Sequence, residues 1–446
     1  MVQQEFPEEI LDMFFCELAR ECRNADQGLK SSSQLALQSC LLVSRSFCHH
    51  SRRYLFSSIT LVHSREKGLP QRVKHLMEFL HSELPIGGIA RHIKSVRICI
   101  FDDDIPPSGP IDESLDNSLV VFLRAMIGND CGIRDFMFIF SGSGGDLEWD
   151  RMSSSLQKSI ADTVRSSHAT DVCIFDISRI PRAVFVNPHL KHLRLRSTDR
   201  EALRPYIQEP HTSLRTPSTS EPVLYQNRFE SFDTDHAYPM EYFEQDDMES
   251  SSSKSSFSQL LTLNSSILAA ADFIDCMKIL DKAACTLQNI HLCFRYTHDP
   301  PKQLHFEHFP QLHHLKLQYS YGTILEPFVE NGIGHILRLL GSSSASNSLS
   351  SIHIVVTHIW ASSYPHAALL SLAPGSNTGW LALDDLLSGP KYISLKNVLF
   401  LLRIHFSRKP RTPSAENFTT DFTGHIEAVF PTVLKSKSLK IVVEIE

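Results

Sequence analysis

The segment Leu312-His313-His314-Leu315-Lys316-Leu317 carries the apolar spacing that decides the fold of this chain. Side chains alternate between the faces of a strand, so Leu315 and Leu317 share one face, and Leu312 enters the turn that precedes them. This spacing predicts a parallel strand with one face on a core. The same spacing recurs at residues 93–98, 133–138, 190–195, 287–292, 349–354 and 395–400.

Stretches with the apolar period of an α-helix lie between these strands. Strand and helix therefore alternate, which predicts right-handed crossovers and a parallel sheet. A doubly wound α/β sheet is the rival architecture, but it would bring a glycine-rich phosphate-binding turn. In the segment after Ser141, Leu147 stands where the last glycine of that motif is required. The helices are predicted at residues 73–84, 115–127, 156–164, 270–284, 325–340 and 381–387.

The N-terminal stretch, residues 6–56, has a different pattern and begins Phe6-Pro-Glu-Glu-Ile-Leu-Asp-Met-Phe-Phe15. Pro7 suits the first turn of a helix, and Glu8 and Glu9 place negative charge at the positive end of the helix dipole. The spacing of the apolar residues that follow predicts one face of a helix. These residues are Ile10, Leu11, Phe14, Phe15 and Leu18.

Two further amphipathic runs follow this helix, one over residues 37–47 and a shorter one over residues 52–56. The polar, serine-rich residues 20–34 predict a loop between the first two runs. Helices this short have too little core to stand alone. Some of their apolar surface must therefore be covered by the rest of the chain or by another protein.

The residue order of this stretch resembles the F-box, the helical module by which many proteins bind the small adaptor subunit of SCF-type cullin-RING ubiquitin ligases. Phe6-Pro7 stands where the family usually has Leu-Pro, and Val43-Ser-Arg-Ser-Phe47 stands where it usually has Val-Ser-x-x-Trp. The strands resemble leucine-rich repeats of the long, irregular kind that often follow an F-box. The run Trp380-Leu-Ala-Leu-Asp-Asp-Leu-Leu-Ser-Gly-Pro-Lys391 resembles the closing part of F-box-like proteins that are abundant in mushroom-forming fungi.

The resemblance implies an α/β fold with an N-terminal helical F-box-like module, residues 1–58, and an irregular leucine-rich-repeat solenoid over residues 59–446. It implies a curved parallel sheet with helices outside. The implied function is that of a non-catalytic substrate-recognition subunit of an SCF-type ligase, which binds the small adaptor subunit and a protein target and uses no cofactor or metal. The residues that it assigns to adaptor binding are Phe6, Pro7, Ile10, Leu11, Phe14, Leu41, Val43 and Phe47.

Two other functions stay open. The helices of an interaction scaffold would only cap the array, in which case Leu11, Phe14 and Phe47 should all be buried against residues beyond position 56. An α/β enzyme, such as a hydrolase, would need a pocket with converging polar groups at the carboxyl ends of strands. The sequence offers no motif for such a pocket.

The composition limits the kinds of partner that the protein can bind and the compartments in which we expect it. The net charge of −7 over 446 residues argues against nucleic acid or an anionic membrane as the main partner. No apolar run reaches the roughly 18 residues of a membrane-spanning helix, and no signal-peptide pattern opens the chain, so we expect a cytoplasmic or nuclear protein. The 10 cysteines contain no C-x-x-C pair, which indicates reduced, buried thiols.

Residues 210–256 fit neither the strand nor the helix pattern. Their low hydrophobicity, acidic clusters and serine runs predict a disordered insertion in the array. A tolerated surface insertion and a site of regulatory serine phosphorylation are both compatible with this composition.

Overall fold

The computed structural model divides the chain into two compact units, residues 1–227 and 228–446. Each unit is an α/β structure built on parallel strands. The structure describes residues 7–24, 32–63, 68–81, 89–101, 111–128, 132–141, 146–196, 228–235, 255–268, 270–295, 304–321, 328–341, 348–360, 378–406, 420, 423–424 and 426–445.

The first unit opens with three helices, α1 (Glu8–Asn24), α2 (Ser32–Cys40) and α3 (Arg45–Leu55). The predicted loop at residues 20–34 is too wide, because α1 continues to Asn24 and α2 begins at Ser32. The predicted division into runs at 37–47 and 52–56 is also wrong. α2 already ends at Cys40, and a new helix begins after Ser44, whose hydroxyl accepts a hydrogen bond from the Phe47 N–H at 3.2 Å and caps α3.

The rest of the first unit alternates strands and helices. Its main sheet has the order β1-β2-β3-β5-β7 with every described pair parallel, and β4 pairs with β6 separately. The elements are β1 (Ser58–His63), α4 (Leu69–His81), β2 (Ser95–Phe101), α5 (Glu113–Gly128), β3 (Asp135–Ser141), β4 (Leu147–Glu148), α6 (Ser154–Val164), β5 (Asp171–Phe175), β6 (Ile177–Ser178) and β7 (His192–Arg196).

The second unit continues this alternation with parallel strands that pair in chain order. Its elements are β8 (Ser231–Thr234), β9 (Thr262–Ile267), α7 (Ala270–Ala283), β10 (Asn289–Arg295), β11 (His314–Tyr321), α8 (Phe328–Gly341), β12 (Ser351–Trp360), α9 (Thr378–Ser388), β13 (Asn397–Phe406), α10 (Pro431–Ser436) and β14 (Ser438–Ile445). Short 3₁₀ turns lie at Ile89–His92, Trp149–Arg151, Arg182–Phe185, Phe306–His308 and Pro390–Tyr392.

The predicted strand spacing is confirmed, because equivalent apolar residues of neighbouring strands stand directly opposite each other. Leu315 pairs with Ile290 on one side and with Ile352 on the other, and all three are buried. Alignment of this kind stacks the apolar positions into continuous rows under the helices. The large parallel sheet and the helices predicted between its strands are therefore present.

A repeated backbone contact keeps successive strands in register. The carbonyl of His313 accepts hydrogen bonds from the N–H groups of both Ser350 and Ser351, at 2.9 and 3.0 Å. The same two-donor contact recurs at the entry of most strands, so each strand docks on the previous one in the same way although the connecting segments differ in length. The other accepting carbonyls are those of Ser57, Lys94, Arg134, Thr170, Glu230, Leu261, Gln288 and Ser350.

Part of the predicted disordered insertion is a strand. β8 lies inside residues 210–256 and pairs with β9. Phe232 is fully buried between Phe229 and Phe257, with ring centroids 5.9 and 5.2 Å apart. These buried rings pack together, and the average hydrophobicity of the polar segment around them does not indicate it. The prediction is wrong for residues 228–235, whereas most of the remaining insertion lies outside the described residues.

Several contacts join α9 to the end of the second unit. α9 ends at Ser388, just before Gly389-Pro390, and Trp380 packs against Phe400 and Phe430. Asp384 does not face solvent. It is buried and accepts hydrogen bonds from the N–H groups of Thr432 and Val433, which satisfies the start of α10.

The composition predicts that no helix spans a membrane and that the cysteines are buried, and the described residues test both expectations. Among the helices that the structure describes, none combines the length and the apolar character that a membrane crossing requires. The cysteines are not uniformly buried as expected, because Cys16 and Cys285 are exposed while Cys173 and Cys276 are buried.

Candidate functional site

The three N-terminal helices share a small core made of their own residues. Leu11 and Phe15 of α1 and Leu37 of α2 are buried together. Phe15 stacks on the ring of His50 with centroids 5.7 Å apart and meets Phe47 edge to face at 5.5 Å. Partly buried residues complete the cluster, namely Leu18, Cys40, Phe47, Tyr54 and Leu55.

A polar contact fixes the rotation of α1 against α3. Nδ1 of His50 lies 2.9 Å from Oδ1 of Asp12, and the Arg53 guanidinium donates to Oδ2 of Asp12 at 3.3 Å. The Tyr54 hydroxyl donates to the Asp12 carbonyl at 3.5 Å, and partial burial together with the Asp12 charge raises the pKa of Tyr54. Residues Leu11, Asp12 and Phe15 therefore face the module, and the opposite side of α1 is left outward.

That outward side of α1 is apolar. Ile10, Met13 and Phe14 are 52%, 73% and 48% exposed, and their spacing places them on one helical face. We call these three residues the α1 patch. The turn between α2 and α3 carries a second set, the turn patch, which consists of Leu42 and Val43 with exposed fractions of 89% and 64%. Large apolar side chains left in water on a module with its own core are typical of a protein-binding surface.

The residues that the sequence assigns to adaptor binding separate into two groups. Pro7, Ile10, Phe14 and Val43 are exposed, whereas Leu11 is buried in the module core. The assignment does not distinguish these groups, because it rests on resemblance to the F-box pattern, which names positions and not their exposure.

The remaining assigned residues are intermediate or not described. Leu41 is half-buried, and Phe47 is half-buried against the module core. Phe6 lies outside the described residues. Sequence reasoning missed Met13 and Leu42, although Met13 follows Ile10 at the spacing of one helical face, which is a usable signal.

One described contact between the module and the following chain joins two histidine rings. The ring of His49 on α3 lies 5.9 Å from the ring of His92 in the first 3₁₀ turn. Burial and the neighbouring Arg91 lower the pKa of His92 to about 4, so this ring is neutral at physiological pH. The test proposed for a capping role requires Leu11, Phe14 and Phe47 to be buried against residues beyond position 56. Phe14 is half-exposed, and the other two pack within the module.

The described part of the chain offers little for metal chemistry. Within it, no group of three or more histidine, cysteine, aspartate or glutamate side chains could hold a metal ion. His305 and His308 lie with ring centroids 5.7 Å apart, and Nδ1 of His305 is 3.3 Å from Glu307. The most specific arrangement among the described residues is thus the apolar α1 and turn patches. No model of a known protein family matches this chain, and no curated protein matches it.

Proposed function

We propose that this protein is a substrate-recognition subunit of an SCF-type cullin-RING ubiquitin ligase, in which the N-terminal helices bind the small adaptor subunit. One observation carries the proposal: the α1 patch and the turn patch stay exposed although the module already has a core of its own. The resemblance of Phe6-Pro7 and of residues 43–47 to the F-box pattern assigns the partner.

The exposed patches have the chemistry of an anchor in a protein interface. Burial of apolar surface stabilises a complex by roughly 25 cal/mol per Å², and aromatic residues near the centre of an interface contribute most. Phe14 is the aromatic residue of the α1 patch, and Met13 beside it adapts its shape to a partner. Asp12 holds α1 in place from the other side, so the patch is preorganised before it binds.

The α/β array has the second task in this proposal, which is to hold a protein target. We interpret it as an irregular leucine-rich-repeat solenoid, a curved parallel sheet with helices outside, because the strand entries repeat the same backbone contact. Such an array offers many strand side chains on a rigid scaffold. In this mechanism the protein only positions its target, because a bound target has a high effective concentration near the ligase. The mechanism needs no side-chain chemistry and no cofactor on this chain. The proposed compartment is the cytosol or the nucleus.

Copurification of the purified full-length chain with the adaptor subunit tests this function. The variant Ile10→Ser plus Phe14→Ser removes two of the three residues of the α1 patch and keeps the buried Leu11, Phe15 and Leu37. We expect it to retain the adaptor about tenfold less well than wild type. The matched control is Val121→Ser plus Ile274→Ser, which removes exposed apolar residues of α5 and α7 and should bind as wild type does. If wild type does not bind the adaptor at all, the ligase function is wrong and an interaction scaffold that joins no ligase takes its place.

A further inference from the structure

The last strand of the second unit, β14, forms an edge of the sheet among the described strands. It pairs in parallel with β13 on one side, and the described part of the chain contains no strand that pairs with it on the other side. Leu439 and Ile441 of β14 are half-buried, whereas Val398 and Phe400, which stand opposite them on β13, are each only 2% exposed. Apolar surface at this edge is therefore left in contact with water.

The backbone of β14 also has an outward side. The N–H of Ser438 donates to the carbonyl of Lys396 at 2.9 Å, so the backbone groups of Ser438 point towards β13. These groups alternate in direction along a strand, which directs those of Leu439, Ile441 and Val443 away from β13. A sheet edge of this kind is a template for pairing with another strand.

Two opposite charges on β14 make this edge complementary to a second copy of itself. Lys440 is exposed, and Glu444 is half-buried and accepts a hydrogen bond from Nε of Arg403 at 2.6 Å. If a second β14 runs antiparallel about a twofold axis at Val442, Lys440 of each copy stands opposite Glu444 of the other. Moving the axis by one residue places Val442 opposite a charge, and moving it by two residues places like charges opposite each other, which is unfavourable.

The backbone agrees with the register that the charges select. Ile441 of one copy stands opposite Val443 of the other, and both have outward backbone groups, so this pair exchanges two hydrogen bonds. Lys440 and Glu444 then form a non-hydrogen-bonded pair, in which the side chains come closer together. The half-buried Ile441 and Val443 of the two copies share one face and extend the apolar row from one sheet into the other.

We propose that a second copy of this chain pairs with β14, so that the sheets of two molecules join edge to edge in antiparallel register about Val442. The same residues meet in exchanged order across the axis, as an interface between identical subunits requires. Two strands of 8 residues bury less than the roughly 1,600 Å² of a standard interface, so we expect a dissociation constant of about 1 to 10 μM. The dimer does not depend on the proposed ligase function.

Sedimentation velocity of the purified protein over a range of concentrations tests the dimer. Lys440→Glu alone and Glu444→Lys alone should each weaken self-association by about tenfold or more, because like charges then face each other twice. An equimolar mixture of these two variants should recover the dimer, since every glutamate then meets a lysine. Lys435→Glu makes the same charge change at an exposed position of α10 and should associate as wild type does.

A disulfide gives a second measurement, which also reports the register and does not need a charge variant to fold. Val442→Cys places two thiols at the twofold axis, within the distance that a disulfide spans, and should cross-link under mild oxidation. Lys440→Cys is the matched control, because its two copies would lie about 14 Å apart and should not cross-link. Wild type sets the background, since Cys16 and Cys285 are exposed.

Several results would overturn the proposal. Wild type that stays monomeric at every concentration is one, and equal self-association of wild type and Lys440→Glu is another. Equal cross-linking of Val442→Cys and Lys440→Cys would show that the register is wrong. A wild-type dimer that the mixture of charge variants does not restore would mean that the copies meet through another surface. The adaptor takes no part in these measurements, so their result is independent of the copurification test.

Discussion

His50 on α3 and Asp12 on α1 are joined across the N-terminal module, with Nδ1 of the imidazole 2.9 Å from Oδ1 of the carboxylate. His50 is buried and also stacks on Phe15, so the same ring anchors α1 by a polar and an apolar contact. This pairing decides which side of α1 faces outward. The exposure of Ile10 and Phe14 follows from it.

We predict that Asp12→Ala loosens α1 by about 1 kcal/mol, because it removes contacts to His50 and Arg53 from a carboxylate that is partly exposed and screened. Amide hydrogen exchange in Glu8–Asn24 and Arg45–Leu55 should accelerate. Gln38→Ala, at an exposed position of α2, serves as the control and should leave exchange unchanged. Equal exchange in Asp12→Ala and wild type would contradict the anchoring role.

Truncation of the two adjacent phenylalanines of α1 should cost very different amounts of stability. Phe15→Ala opens a cavity among Leu11, Leu37 and Phe47 and should cost about 3 kcal/mol or more of the stability of these helices. Phe14→Ala removes a side chain that is half in water and should cost less than about 1 kcal/mol. Limited proteolysis of the N-terminal helices distinguishes the two variants. Similar cleavage rates would show that the assignment of inner and outer faces is wrong.

A second matched pair lies on α9. Asp384→Ala leaves the N–H groups of Thr432 and Val433 without their acceptor and should cost about 2 kcal/mol in urea unfolding. Asp385→Ala, one residue away at an exposed position, should have an effect within about 0.5 kcal/mol. Equal urea midpoints for the two variants would mean that Asp384 does not hold the start of α10.

Asp176 gives a prediction with a definite pH dependence. Burial and then the nearby Asp146 raise the pKa of Asp176 to about 6 from its ordinary 3.8. The native state therefore keeps a proton that the unfolded state releases, so the stability from this group is complete below pH 3.8 and is lost as the pH rises through 6. At pH 7 the partly buried charge of Asp176 destabilises the native state.

Asp176→Asn should consequently raise the urea midpoint at pH 7, and the gain should shrink below pH 6 and vanish near pH 4. The backbone tolerates the change, because Asp176 has a φ of 58° and asparagine adopts this left-handed conformation readily. Asp162→Asn, at an exposed position of α6, should show no such gain. A gain for Asp176→Asn that is the same at pH 4 and pH 7 would contradict the raised pKa.

Some strands lack one apolar position of the spacing, and the sequence misses them for that reason. β5 follows Ala169 and β9 carries Ser265 at the last position of the spacing, and both fall short of the leucine pattern although they pair in the same register. Pairing with neighbouring strands, which are distant in sequence, stabilises the strand conformation that these residues do not favour by themselves.

The sequence also predicts only part of the candidate site. The apolar period selects Ile10, Leu11 and Phe14 together, and only the contacts of Asp12 with α3 separate the outward residues from the buried Leu11.

The most direct test of the docking proposal is amide hydrogen exchange of the full-length chain with and without the purified adaptor subunit. The proposal predicts slower exchange on binding in α1 and in residues 41–47, with no change in β10–β13 of the second unit. An adaptor that leaves exchange in α1 and residues 41–47 unaltered, or that slows exchange only in the strands, would contradict it.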